Sequence, residues 1–192
     1  MTQIQGILLA AGSGVRFGSQ KLLHPLPTGE LMGIAAARNL ITALPNTLAV
    51  IRPQDSQLAH GLVDLGVSLV ENSEAEKGMG LSLSKGVKAS ADAQGWIVAL
   101  ADMPWITPET IRSVFHALQQ GASMAAPVYQ GRRGHPVGFG RKWRQPLQTL
   151  QGDAGARHLL SSHSDELLLL PSDDPAVLLD IDHKDDPILS SP

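Results

Sequence analysis

Residues 4–21 read IQGILLAAGSGVRFGSQK, an apolar run that breaks into glycines and ends among cations. The run Ile4–Ala10, apolar apart from Gln5 and Gly6 and followed by Gly12, has the pattern of a parallel strand buried on both faces. After it, Gly12, Gly14 and Gly18 let the backbone turn sharply and approach a ligand closely. Successive N–H groups in such a turn form a concavity for anions, and Arg16 and Lys21 add positive charge at the same place. The plainer account of these residues is a tight strand-to-helix turn with two solvated cations.

Working outward, short apolar runs recur at Thr47–Ile51, Val67–Val70, Trp96–Ala101, Met124–Val128, Leu167–Leu170 and Val177–Ile181. Segments with helical spacing lie between the early ones: Leu31–Ala43, Gln54–Leu65, Met79–Ser90 and Pro108–Gln119. Thr107 before Pro108 reads as an N-cap followed by proline in the first turn. Strand and helix alternating in this way predict an α/β fold: a three-layer α/β/α domain over residues 1–192. Its sheet is expected to be Rossmann-like and mainly parallel, mixed at one edge. Glycines and cations crowd 131–144, which reads as a long loop or an inserted hairpin. Ligands of open α/β sheets bind beyond the carboxyl ends of the strands, so function is sought there.

The 192 residues can bury a core of ordinary size, and a 43% hydrophobic, 17% charged composition excludes a disordered chain. A net charge of −3 argues against general attraction to nucleic acid or to an anionic membrane surface. No cysteine is present, so disulfides and thiolate metal sites are excluded, in keeping with a reducing cytoplasm. The first residues lack a basic stretch, and neither their apolar run nor the four leucines at 167–170 is long enough to span a bilayer. A soluble cytoplasmic protein is expected.

Two familiar phosphate loops fail on spacing. The P-loop pattern needs lysine directly after its last glycine, whereas Ser19 and Gln20 separate Gly18 from Lys21. The dinucleotide pattern needs a third glycine where Phe17 stands, and the second strand run ends in Arg52 and Pro53 without the acidic residue. Hydride transfer is therefore the weaker reading, and a loop with both Arg16 and Lys21 suits a triphosphate. The segment LAAGSGVRFGSQK resembles the signature L-A-A-G-x-G-x-R-x-G-x-x-K of the nucleotidyltransferases that activate sugars, cofactors and lipid precursors.

Carboxylates at strand ends extend the pattern. The run Trp96–Ala101 ends in Asp102-Met103-Pro104, placing a carboxylate where a hard cation could bridge it to phosphate oxygens. The alternative is an Asp that merely turns the chain before Thr107. Val177–Ile181, read as a strand, leads into Asp180-Ile181-Asp182, and alternation would put both carboxylates on one face. The resemblance implies that Asp102 and one late acidic residue hold Mg²⁺; Asp182 is preferred to Asp180. His183 and Lys184 stand where that family has Thr and Pro, and Asp185 and Asp186 read as a solvated face.

Three further segments narrow the family. Arg133-Gly134-His135-Pro136, Gly152-Asp153-Ala154-Gly155-Ala156-Arg157 and Leu179–Asp182 resemble R-G-H-P, G-D-x-G-A-R and L-D-I-D of the molybdenum cofactor cytidylyltransferase branch. That branch is related to the guanylyltransferase of the same pathway. The resemblance runs from residue 7 to about residue 186. By it, Arg133, Gly134, His135, Pro136, Asp153 and Arg157 line the acceptor. On the residues alone, His135 could brace its loop or form a donor-rich, cationic lip, and Asp153 could cap a helix near Ala154.

The nucleotide is expected on Leu9, Ala10, Ala11, Gly12, Ser13, Gly14, Arg16, Gly18, Lys21 and Asp102, and the resemblance implies that the turn Lys77-Gly78-Met79-Gly80 with Ser82 lies beside the nucleobase. Ala11 is compatible with a pyrimidine, and guanylyl-transferring relatives carry L-A-G-G instead of LAAG. The implied reaction transfers CMP from CTP to molybdopterin, with Mg²⁺ as cofactor and pyrophosphate as the second product. Arg16, Lys21 and Asp102 are the expected catalytic residues. A molybdoenzyme or insertion chaperone could receive the product. The alternatives are another phosphorylated acceptor, such as a sugar or polyol phosphate, or a non-catalytic nucleotide- or cofactor-handover module.

Overall fold

The computed structural model describes residues 3–12, 17 and 20–182. Among them, one sheet holds eight strands: β1 (Ile4–Leu9), β2 (Thr47–Ile51), β3 (Ser68–Glu71), β4 (Gly95–Leu100), β5 (Met124–Tyr129), β6 (Arg132–Arg133), β7 (Val137–Gly140) and β8 (Leu167–Pro171). The α-helices are α1 (Met32–Ala43), α2 (Ser56–Asp64), α3 (Met79–Ala89), α4 (Pro108–Gln119), α5 (Arg144–Gln148) and α6 (Arg157–Ser162). The apolar runs from Ile4 to Leu170 became strands with ends within one residue of expectation. The helix expected at Pro108–Gln119 begins as its sequence asks, with Thr107 Oγ1 accepting from the Thr110 N–H at 3.3 Å.

The order across the sheet explains where a ligand can sit. β1 pairs in parallel with β2 on one side and β4 on the other, so Ile7 lies between Leu48 and Val98. β2 in turn pairs in parallel with β3. The chain therefore builds outward from β1 in one direction, then returns to build in the other. That reversal opens a crevice at the carboxyl ends of β1 and β4.

The reversed strand does not lie at an edge. β7 runs antiparallel between β4 and β5, with Phe139 opposite both Trp96 and Met124. β5 then resumes the common direction, and β8 joins it in parallel along its other side. β6 folds back on the far end of β5, Arg133 opposite Val128, through a turn whose central residues Gln130 (φ 47°) and Gly131 (φ 76°) are both left-handed. Of loop or hairpin for 131–144, the hairpin is what forms. Glycine in β7 is a packing requirement: a Cβ on Gly138 would lie 2.7 Å from the Val114 side chain of α4.

Side-chain alternation along β1 sends Leu8 to one face and Ile7 and Leu9 to the other. The Leu8 face packs Leu40 of α1, Leu58 and Leu62 of α2, and Ile111 and Val114 of α4. The opposite face packs Leu83 and Val87 of α3, Leu147 of α5 and Leu160 of α6 around Trp96 and Phe139. This is the expected three-layer α/β/α arrangement. Each large side chain so buried contributes about 1.5–3 kcal/mol relative to exposure.

The expectation of a strand at Val177–Ile181 is corrected. Asp174 Oδ1 accepts from the Ala176 N–H at 2.9 Å and Pro175 occupies the first helical position, so Pro175–Leu178 coils into a 3₁₀ turn. The apolar residues still bury, with Val177 and Ile181 both fully covered. They cap the end of the sheet instead of joining it: the Ile181 N–H donates to the Asp102 carbonyl at 3.1 Å and the His135 N–H to the Val177 carbonyl at 2.9 Å. The strand-alternation argument that placed Asp180 and Asp182 on one sheet face therefore fails. No helix among the described residues is long and apolar enough to cross a membrane.

Candidate active site

The carboxyl ends of β1, β2 and β4 open into a cleft of about 1020 Å³. Leu9, Ala11, Gly12, Lys21, Gly78, Met79, Ser82, Asp102, Asp153 and Asp182 all line it. Backbone bonds shape its floor. The Ala10 N–H donates to the Val50 carbonyl at 2.9 Å, and the Ala101 N–H donates to the Leu9 carbonyl at 3.1 Å.

Lys21 is the hub of this cleft. It begins the 3₁₀ turn Lys21–Leu23 after the glycine loop, and its Nζ donates to Asp102 Oδ2 at 2.8 Å and Asp182 Oδ1 at 3.0 Å. The Lys21 side chain is only 10% exposed, against 27% for Asp102 and 39% for Asp182. Burial alone would lower its pKa, but the two carboxylates, Asp102 foremost, outweigh that and hold it above the ordinary lysine value. The ammonium is charged at neutral pH. Two part-exposed carboxylates thus converge on one cation. Asp180, the other late carboxylate considered, is exposed, and its charge acts on His135. Among the described residues no three His, Asp or Glu side chains gather as a metal cluster.

The other wall of the cleft is the turn into α3. Gly78 (φ 106°) caps the helix without a side-chain bond. Asn72, fully buried at the end of β3, donates from Nδ2 to Ser82 Oγ at 2.9 Å, and its Oδ1 accepts from the Glu74 N–H at 3.0 Å. These bonds fix the turn from both ends. A second loop presses against it: the Gly80 N–H donates to the Gly152 carbonyl at 2.8 Å. A Cβ on Gly78 would lie 2.3 Å from the Gly152 carbonyl carbon. Met79 stays 45% exposed on the rim, a polarisable apolar surface against which a flat ring could rest.

The residues expected at the acceptor divide. Asp153 lines the cleft, whereas Arg133, Gly134, His135, Pro136 and Arg157 stand outside its lining. Arg133 sits on β6, opposite Val128 near the carboxyl end of β5, and Arg157 opens α6. The two guanidiniums feel each other: partial desolvation and then the charge of Arg157 pull the Arg133 pKa down. Gly134 has no space for a side chain, since a Cβ would lie 2.4 Å from the Val177 carbonyl oxygen. His135 is buried at Nδ1, which has no hydrogen-bond partner among the described residues, and precedes a cis bond to Pro136. Burial, reinforced by Arg133 and opposed by Asp180, lowers its pKa to about 4. His135 is therefore neutral at pH 7, so the cationic character of this lip belongs to the arginines.

Ser13, Gly14, Arg16 and Gly18 of the glycine loop lie outside the described residues, as do His183, Lys184, Asp185 and Asp186. The sequence reading also missed cleft-side residues. Arg52, at the end of β2, donates from Nε to the Ala11 carbonyl at 2.9 Å. In the sequence it stands where the dinucleotide pattern has an acid, and no motif includes it. Asn72 follows β3. The signal that could have found both is position, since each follows the carboxyl end of a parallel strand.

Comparison with known proteins supplies the family. Residues 6–167 match the MobA-like NTP transferase domain. The chain belongs to that family. As a MobA-like NTP transferase it is 29% identical over 170 residues to the purine catabolism protein PucB of Bacillus subtilis, covering 82% of this chain and 80% of that protein. It is also 29% identical over 167 residues to the nicotine blue oxidoreductase of Paenarthrobacter nicotinovorans, covering 82% and 81% of the two chains. Among solved structures, Rv0371c of Mycobacterium tuberculosis superposes with a TM-score of 0.84 at 28% identity, covering 99% of this chain and 98% of that one. A complex of Rv0371c with manganese superposes at 0.83, with 26% identity over 99% of this chain and 100% of the other. The three-layer fold and the nucleotidyltransferase class of this MobA-like chain stand on these matches.

Proposed function

We propose that this MobA-like NTP transferase moves CMP from CTP onto a molybdopterin-type phosphate monoester and releases pyrophosphate. The observation that carries the reading is the convergence of Asp102 and Asp182 on the ammonium of Lys21, which follows the glycine-rich segment in sequence. Two carboxylates already gathered around a cation suit a hard divalent ion, whose remaining positions phosphate oxygens and water can fill. Mg²⁺ is the proposed metal, held by Asp102 and Asp182, and it would neutralise charge on the transferred phosphoryl group. The manganese complex of Rv0371c supports a divalent ion in this family.

In the proposed reaction an acceptor phosphate oxygen bonds to the α-phosphorus of CTP, and the α–β bridging bond breaks. Its electron pair leaves with pyrophosphate. A phosphate monoester is already anionic near neutrality, with a second pKa of about 6, so the chain need not remove a proton. Its residues position and neutralise instead. Lys21 turns from the carboxylates toward the triphosphate and, with Arg16, holds the departing pyrophosphate. The backbone of Ala10, Ala11 and Gly12 and the Gly78–Gly80 turn hold the nucleoside. Arg133 and Arg157 receive the acceptor's anionic group, supported by Gly134, His135 and Pro136, with Asp153 between the two ligands. A molybdoenzyme or its insertion chaperone would take the product.

The test is pyrophosphate release from CTP and Mg²⁺ with purified molybdopterin, beside sugar phosphates and polyol phosphates as rival acceptors. Release with molybdopterin alone is the expected result. Release with a rival acceptor would keep nucleotidyl transfer and replace the acceptor. Tight CTP binding without release would favour a handover module. Because one relative is named an oxidoreductase, the same mixtures are followed by absorbance, where a redox change without pyrophosphate would overturn the reading.

A further inference from the structure

Resting on the reading of the cleft as a nucleotide site, we infer that Arg52 selects the nucleobase by hydrogen-bonding an edge that carries two adjacent acceptors. Arg52 follows β2 and Asp102 follows β4, with β1 between those strands. Adjacent strands lie about 4.8 Å apart, so the two residues stand roughly 10 Å from each other across the cleft. The triphosphate and its counter-charges belong to the Asp102 side, where Lys21 and Asp182 gather. The nucleoside is left to the β2–β3 side, which offers Arg52, Met79 and Ser82.

The guanidinium is prepared for such a role. Its Nε is tied to the Ala11 carbonyl at 2.9 Å, which fixes the plane of the group. No described carboxylate pairs with Arg52, and its two terminal nitrogens have no partner among the described residues, although the side chain lines the cleft. A planar cation with one nitrogen anchored presents a two-pronged donor.

The donor fork sorts the bases by chemistry. Cytosine offers O2 beside N3, two acceptors, whereas uracil carries a hydrogen on N3 and would set donor against donor. Guanine offers O6 beside N7, while adenine pairs N7 with the N6 amino donor. Arg52 therefore accepts cytosine or guanine and rejects uracil and adenine. A mismatched base forfeits the bidentate pair and sets a donor against a donor, which is why it is rejected.

Equilibrium titration of CTP, UTP, GTP and ATP with Mg²⁺, without acceptor, tests this on the wild type and on Arg52→Lys and Arg52→Ala. The wild type should bind CTP about tenfold to hundredfold tighter than UTP, as one good bidentate pair gives. Arg52→Lys, which cannot offer the fork, should bring that ratio within about threefold. A preference for GTP over ATP that vanishes in the variants would equally support the fork, while moving the donor from CTP to GTP. Equal weakening of CTP and UTP would overturn the inference and leave Arg52 as a prop for Ala11. An unchanged ratio would overturn it as well. If wild-type protein binds none of the four nucleotides, the nucleotide-site reading fails and takes this inference with it.

Discussion

Replacing Gly78 with alanine separates two costs that the cleft wall imposes at once. The backbone there has φ 106° and ψ 169°, a region essentially confined to glycine that costs an alanine about 1–3 kcal/mol. The new Cβ would also stand 2.3 Å from the Gly152 carbonyl carbon and 2.6 Å from the Asp153 nitrogen. Both are backbone atoms, so no rotamer change relieves the overlap, and the 152–153 loop must move. Such overpacking costs a further 1–3 kcal/mol or so, for a total of about 2–6 kcal/mol. Gly66 supplies the control, because it has φ 81° and nothing within 4 Å of its Cβ position among the described residues. Gly66→Ala should lower Tm by about 2–8 °C through backbone strain alone, at roughly 2–4 °C per kcal/mol for a chain of this size. Gly78→Ala should lower it about twice as far and also weaken CTP binding tenfold or more, since Asp153 and Met79 shift with the loop. Thermal unfolding and nucleotide titration of both variants provide the measurements. If Gly78→Ala unfolds with Gly66→Ala and binds CTP like the parent, the close approach of the two loops does not shape the site.

Asp102→Asn keeps the side-chain shape and removes the charge; pyrophosphate release should fall about 100-fold or more while Tm changes by only a few degrees. Turnover within about threefold of the parent would remove Asp102 from the chemistry. His135 should titrate near pH 4 by NMR and be neutral at pH 7, and a midpoint at 6 or above would contradict its burial. Because the unfolded chain protonates this ring near 6.5 and the folded chain only near 4, stability falls as pH drops through that window. Wild type should lose about 1–2 kcal/mol more than His135→Gln between pH 7 and pH 5, measured by denaturant unfolding.

The elements before β5 were legible because each apolar run or amphipathic stretch has a length and spacing that admit one structure. β7 was not so plain. Its four residues Val137–Gly140 include two glycines, which carry no hydrophobic pattern, and only the tertiary demand for space under α4 explains Gly138. Val177–Ile181 shows the opposite failure. Its composition is that of a strand, yet the Asp174 cap and Pro175 divert it, and burial of Val177 and Ile181 is satisfied without pairing. At the site, motif spacing brought Lys21, Asp102 and Asp182 forward without revealing that all three meet. Asp182 could be preferred to Asp180 by resemblance, but the reason the Lys21 ammonium meets it is the 3₁₀ turn, which strand alternation could not foresee. Arg52 belongs to no motif; its position follows from the order of strands, which a sequence does not print.

The ion pairs of Lys21 also bear on when the site can exist. One ammonium joins a residue 81 positions away and another 161 positions away. Doubling a loop adds only about 0.6 kcal/mol to its closure entropy, so the longer tie is thermodynamically inexpensive. Its cost is in time. A chain leaving the ribosome from its N-terminus can pair β1 with β4 and bring Lys21 to Asp102 well before Asp182 has been made. The crevice would then have only one of its two carboxylates, and the segment that covers the end of the sheet, through Val177 and Ile181, would be absent. Completion of the site is thus scheduled late in synthesis, after the scaffold around β1 is able to form.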